Sequence, residues 1–283
     1  AQVPKLKYAA NNAVRFAQTM SQHAAPNYDC RTISLLNQNV TKAAWNVTIE
    51  SLASQLKQSV AADDLLVIFL SGHGVRDVQT GEYYYVTANA RFQDVQSRRF
   101  EDCLSFADLA AFADIPCRKL VVLDTCHSGA IQPQLQRELK TALRSLQDDL
   151  FMTLTASEGG QEAIESSEQQ LGRFTNRLLE GLQGSADIQA GNGDGTVQLA
   201  ELFGYVRNTV AADASADSEF QFPTLGPREL AEHANIPLTR AANQRATAKI
   251  RRLESTRELH ADFRIKDFIT TVSQGRDSTD LER

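Results

Sequence analysis

The chain has 283 residues and a net charge of −6, with 42 % apolar and 23 % charged residues: the balance of one large globular domain, or of one domain plus an extension. The acidic balance argues against nucleic acid as the main ligand, since that calls for a basic face, and no apolar run approaches the ~20 residues of a membrane span. Cys30, Cys103, Cys117 and Cys126 show no C-x-x-C pairing and read as free thiols of a reducing, cytoplasmic compartment. The chain starts at Ala1 without a signal-peptide pattern and reads as a fragment or a processed piece.

Leu6 to Met20 carries apolar residues at helical spacing and predicts an amphipathic helix. Ile33 to Leu36 is a short strand candidate. Thr41 can cap a helix running to about Ala61. "LLVIFL", after Asp63 and Asp64, is a continuous apolar run of the kind found in parallel strands covered on both faces. Tyr83 to Thr87 predicts a strand and Phe106 to Ala113 a short helix. Leu120 to Leu123 and Phe151 to Thr155 are further strands; Arg173 to Leu182 and Leu199 to Val210 are helices. Strands alternating with helices predict an α/β domain with a mainly parallel sheet over residues 1–230. From Ala231 the character changes: Arg240 to His260 reads as an exposed helix or linker, with a mobile tail from about Ser273.

Two strand ends carry chemistry. "LLVIFLSGHGVRD" puts His73 after one buried strand, and "LVVLDTCHSGA" puts Cys126 after another. If the strands are parallel neighbours, their carboxyl ends share one sheet edge, where ligands collect. A thiol must become a thiolate to attack a carbonyl, and a nearby imidazole can favour that or protonate a leaving amine. Gly72 and Gly74 permit a sharp turn, and the N–H groups of Gly74 and Cys126 can face a developing oxyanion. The bland alternatives are a buried structural thiol and a loop histidine bonded to backbone.

Ser71-Gly72-His73-Gly74 and Asp124-Thr125-Cys126-His127-Ser128-Gly129 together resemble the caspase-like cysteine peptidases of the metacaspase and bacterial orthocaspase kind. Their 53-residue separation agrees, and "LKYAANNAVRF", "EYYYVTANA", "GRFTNRLLEGL" and "FPTLGP" are similar to the framework of that family. The resemblance implies a three-layer αβα sandwich and endopeptidase activity after Arg or Lys. It implies Cys126 as nucleophile and His73 as general acid/base, with His127 a bystander. Asp124 corresponds to the acid flooring the S1 pocket, where a carboxylate selects basic side chains; Asn12 and Ser157 join it as substrate-binding residues. The family's first helix usually carries N-D-A, whose Asp also lines the S1 pocket; this chain has Asn11, Asn12 and Ala13 there, so one of two pocket carboxylates is an amide here. The family's first strand is apparently missing before Leu6, which leaves an open slot in the sheet. The partners implied are peptides with basic P1 residues and fused or regulatory domains, with no nucleic acid and no membrane. Self-processing within Gln132 to Asp149 is the companion expectation, a solvated helical face the plain reading. The alternative function is a catalytically impaired pseudo-peptidase serving interaction or signalling.

No cofactor is required by this reading. "NGDGTVQLAE" aligns with part of an EF-hand loop: Asn192, Asp194, Gly195 and Glu201 take positions 3, 5, 6 and 12, but position 1 is Ala190. The expectation is weak calcium binding or a plain glycine-rich turn before a helix.

Overall fold

The computed structural model describes residues 6–109, 111–112, 115–125, 151–157, 165–166, 170–227, 235–241 and 266–273. The strands are β1 (Asp29–Leu35), β2 (Leu65–Arg76), β3 (Tyr83–Val86), β4 (Arg118–Thr125), β5 (Phe151–Thr155), β6 (Glu165–Ser166), β7 (Leu171–Gly172), β8 (Thr196–Gln198), β9 (Thr224–Gly226), β10 (Pro237–Arg240) and β11 (Lys266–Ser273). The helices are α1 (Ala9–Ala24), α2 (Lys42–Ser59), α3 (Phe92–Gln96), α4 (Phe106–Leu109), α5 (Arg173–Glu180), α6 (Ala186–Gln189) and α7 (Leu199–Ala216).

The central sheet runs β1-β11-β2-β4-β5-β9, with β3 added at the end of β2. The first five are mutually parallel, and β9 and β3 are antiparallel. Side chains alternate across a strand. Leu65, Val67 and Phe69 of β2 and Leu120 and Val122 of β4 meet Phe16 and Met20 of α1, Phe174 of α5 and Leu202 of α7. Leu66, Ile68 and Leu70, with Val121 and Leu123, meet Trp45, Ile49 and Leu52 of α2 and Leu109 of α4. Both faces are covered, which is why these strands read as unbroken apolar runs. The result is the expected α/β sandwich with a mainly parallel sheet. Thr41 caps α2 as expected, its hydroxyl accepting the Ala44 N–H at 3.1 Å.

The structure corrects the expectation of an open slot. β11 runs between β1 and β2, in parallel register with both: Ile269 lies opposite Thr32 on one side and Val67 on the other. The helix or linker expected over Arg240 to His260 falls almost wholly outside the described residues, as does the tail beyond Ser273. On either side of that gap the segment after residue 230 forms strands, β10 pairing with β8 and β11 filling the main sheet. Gln132 to Asp149 also lies outside the described residues. Among the described residues, no helix is long and apolar enough to cross a membrane.

Candidate active site

Parallel pairing of β2 with β4 sets Ser71 opposite Asp124 and Gly72 opposite Thr125. By alternation, Ser71 and Asp124 belong to the α1 face and Gly72 and Thr125 to the α2 face. α1 supplies Asn12, which is buried. Its Nδ2 donates to Asp124 Oδ2 at 3.1 Å and to Ser71 Oγ at 3.0 Å, and its Oδ1 accepts the Gly172 N–H at 3.0 Å. Thr175, in the first turn of α5, donates its hydroxyl to the same Asp124 oxygen. Asp124 is thus a buried carboxylate, 5 % exposed, whose Oδ2 is held by one amide and one hydroxyl donor. Gly172 is required by proximity: a Cβ there would sit 2.8 Å from Asp124 Oδ2 and 3.1 Å from Asn12 Nδ2. Neighbouring Asn11 anchors the same corner, donating to the Gln170 carbonyl at 2.7 Å.

The opposite face is braced by two tyrosines of β3. Tyr83 shares a 2.7 Å hydrogen bond with the Thr125 hydroxyl, and Tyr85 donates to the Ser71 carbonyl at 3.1 Å. Both rings are fully buried. The Tyr85 phenol passes so close to Gly72 that a Cβ there would lie 2.6 Å from its oxygen, so Gly72 serves close packing. Burial pushes the Tyr85 phenol well above its ordinary pKa and keeps it a neutral donor.

His73 does not lie in a loop, as expected, but inside β2. The strand continues past its last β4 partner and pairs antiparallel with β3, placing His73 opposite Val86 and Gly74 opposite Tyr85. His73 is half-buried and Gly74 buried. Tyr85 exchanges both of its backbone hydrogen bonds with Leu104, on the far side of β3. In an antiparallel ladder a residue's N–H and C=O point to the same side. The Gly74–Tyr85 pair is therefore not hydrogen-bonded, and the Gly74 N–H points away from β3. Beyond His73, Asp77 takes a bidentate ion pair from Arg98, both contacts at 2.7 Å, which holds its carboxyl far below the ordinary range.

Cys126, and with it His127, lies outside the described residues; β4 is described to Thr125. Ser157, two residues past β5, is fully buried, and its carbonyl lies 3.3 Å from the Thr155 hydroxyl. Cys30, Cys103 and Cys117 are free thiols, the latter two buried, and burial raises Cys103 to about 11. A thiol so raised stays protonated, in keeping with a structural role.

Asn192, Asp194 and Glu201 lie together around the loop from α6 to α7. Glu201 accepts the N–H groups of Asn192 and Gln198, at 3.2 and 3.0 Å. Asp194 accepts the Thr196 N–H at 2.8 Å. Among the described residues, no three His, Cys, Asp or Glu side chains are gathered at metal-binding spacing.

Sequence reasoning missed Thr175 as a donor to Asp124 and Ser71 as a partner of Asn12, because each looks like an ordinary polar position of its helix or strand. No family model and no curated protein matches the chain.

Proposed function

We propose that the chain is a caspase-like cysteine endopeptidase that cleaves after Arg or Lys, with Cys126 as nucleophile and His73 as general acid/base. The observation that carries this reading is the β2/β4 register. Ser71 and Asp124 are partners and meet Asn12 on one face. In sequence, His73 and Cys126 each come two positions after that pair. Chain connectivity through the Gly72–Thr125 pair keeps their Cα atoms within about 12 Å of each other. The rigid support beneath them, two buried strands clamped by Tyr83 and Tyr85, suits a site that must hold its geometry.

In the proposed reaction the imidazole takes the thiol proton and the sulfur attacks the scissile carbonyl carbon. The oxyanion that develops is met by the N–H of Gly74, which faces away from β3, and by that of Cys126. The imidazolium returns the proton to the leaving amine, and water, deprotonated by the same imidazole, hydrolyses the thioester. Asp124 selects the basic side chain. No cofactor enters. Substrates are proteins or peptides with basic P1 residues, and the basic residues of Gln132 to Asp149 are candidate self-processing positions.

One observation favours the second reading, an impaired pseudo-peptidase: Asp124 Oδ2 already accepts from Asn12 and Thr175, where the resemblance implies a second acid. Fluorogenic peptides ending in Arg, Lys or Asp, assayed with and without calcium, separate the two. Cleavage of Arg or Lys peptides that disappears in Cys126→Ala supports the first. Silence on all three supports the second, and cleavage of Asp peptides alone overturns the role of Asp124.

A further inference from the structure

The strand that carries His73 changes partners at that residue. The β2–β4 ladder ends at the Gly72–Thr125 pair, and from His73 to Arg76 the strand is paired with β3. The imidazole is therefore borne by the β2–β3 hairpin, an arm that extends past the last β2–β4 pair. Its far end is braced at Asp77. The Asp77 carboxylate accepts the Gln79 N–H at 3.1 Å, the Thr80 hydroxyl at 3.0 Å and the Arg98 fork, and the Asp77 N–H donates to the Glu82 carbonyl at 2.8 Å. A hairpin closed in this way is stiff, so its angle to β4 is set by what joins the two.

The two tyrosines of β3 join the arm to the sheet differently. Tyr85 donates to the Ser71 carbonyl, within β2 itself, and so holds the arm to its own strand. Tyr83, opposite Arg76, reaches across to the Thr125 hydroxyl at 2.7 Å and so holds the arm to β4. Tyr83 and Thr125 are both at 0 % exposure. Their surroundings are apolar: Tyr83 shares its cluster with Leu70, Leu104 and Leu123. Burying two hydroxyls there costs desolvation that Phe and Val, of nearly the same shape, do not incur. Stability alone does not call for this pair. A fixed distance between two elements that no longer share a ladder does.

We propose that Tyr83 is a positioning residue: through Thr125 it pins the hairpin bearing His73 to the end of β4, the residue before Cys126. The inference rests on the proteolytic reading and gives it a device that keeps imidazole and thiol in reach of each other. Without the bridge the hairpin still forms and substrate still meets Asp124, but the imidazole is no longer held at one distance from the sulfur. Reacting groups misplaced by about 1 Å lose up to about a hundredfold in rate.

The test compares the parent with Tyr83→Phe, Thr125→Val, Thr125→Ser and the double variant Tyr83→Phe, Thr125→Val, in thermal melting and in steady-state cleavage of arginine-ended fluorogenic peptides. Removing both hydroxyls leaves no orphan, so the double variant is expected to melt close to the parent while its kcat falls about tenfold or more at little-changed KM. Tyr83→Phe and Thr125→Val are each expected to lose kcat by a similar factor, because the same bridge is broken in all three. Thr125→Ser, which keeps the hydroxyl, is expected to retain most of the rate. A folded double variant with parental kcat overturns the inference, as does a Thr125→Ser as slow as Thr125→Val. If the double variant does not fold, the comparison of Thr125→Ser with Thr125→Val decides in the same way. Silence of the parent is the failure of the proteolytic reading and removes this inference with it; a cleaving parent with indifferent variants removes the inference alone.

Discussion

Replacing Asn12 by aspartate turns the donor that faces Asp124 into a second acid. Asn12 Nδ2 is 3.1 Å from Asp124 Oδ2, and both residues are almost closed off from solvent. Asn12→Asp conserves size and can keep the bond from the Gly172 N–H, so its effect is electrostatic. Two charges about 4 Å apart repel by roughly 4 kcal/mol at an effective dielectric of 20. The escape is to hold a proton between them. At pH 7, about three units above an ordinary Asp pKa, that also costs roughly 4 kcal/mol. Either route gives a loss near 4 kcal/mol at pH 7. At pH 4 protonation is almost free, and a shared proton restores the lost hydrogen bond, so the loss falls below about 1 kcal/mol. The sign follows from linkage: the pair holds a proton more tightly folded than unfolded, so its contribution is present below the unfolded pKa and lost as pH rises through the folded one. Urea unfolding of parent and variant at pH 4 and pH 7 checks this. A variant as stable as the parent at pH 7, or equally weakened at both pH values, refutes the reasoning. Under the basic-specificity proposal, an arginine-ended inhibitor recovers part of the loss at pH 7.

Gly72→Ala drives a methyl to 2.6 Å from the Tyr85 oxygen and is expected to cost about 1–3 kcal/mol in urea unfolding, with partial relief in a Gly72→Ala, Tyr85→Phe double variant. Asp77→Asn is expected to weaken the fold at neutral pH. Because the Asp77 carboxyl is depressed by Arg98, that stabilisation is present above the unfolded pKa and lost as pH falls through the folded one, so the gap between parent and variant narrows below about pH 4. A gap that stays constant from pH 7 to pH 2 contradicts the assignment. Ending the chain before Lys266 removes β11 from between β1 and β2 and exposes two strand edges; aggregation and loss of cooperative melting are expected, and a soluble variant with the parent's melting curve contradicts the register.

β2 and β4 were legible because strands covered on both faces must be apolar at every position, and "LLVIFL" and "LVVL" satisfy that without help from alternation. α1 and α2 were legible from their one-sided apolar spacing. β11 was not: "KDFITTVS" has β-branched residues, but its place between β1 and β2 depends on pairing over more than 190 positions of sequence, which no local pattern encodes. The surroundings of Asp124 show the same division. Asp124 stood out at the end of an apolar run, whereas its donors come from α1 and α5, far away in the chain. Asn12 read as a lost acid; in three dimensions it is an amide using both ends, joining Ser71, Asp124 and Gly172.

The central claim is tested most directly by treating the protein with an arginyl chloromethyl ketone and locating the adduct by peptide mass spectrometry. One adduct on Cys126 is expected, lost in Cys126→Ala, strongly slowed in His73→Ala, and outcompeting an aspartyl reagent of the same kind. Labelling spread over Cys30, Cys103 and Cys117, or a Cys126 that reacts no faster than free cysteine and is indifferent to His73, would contradict it.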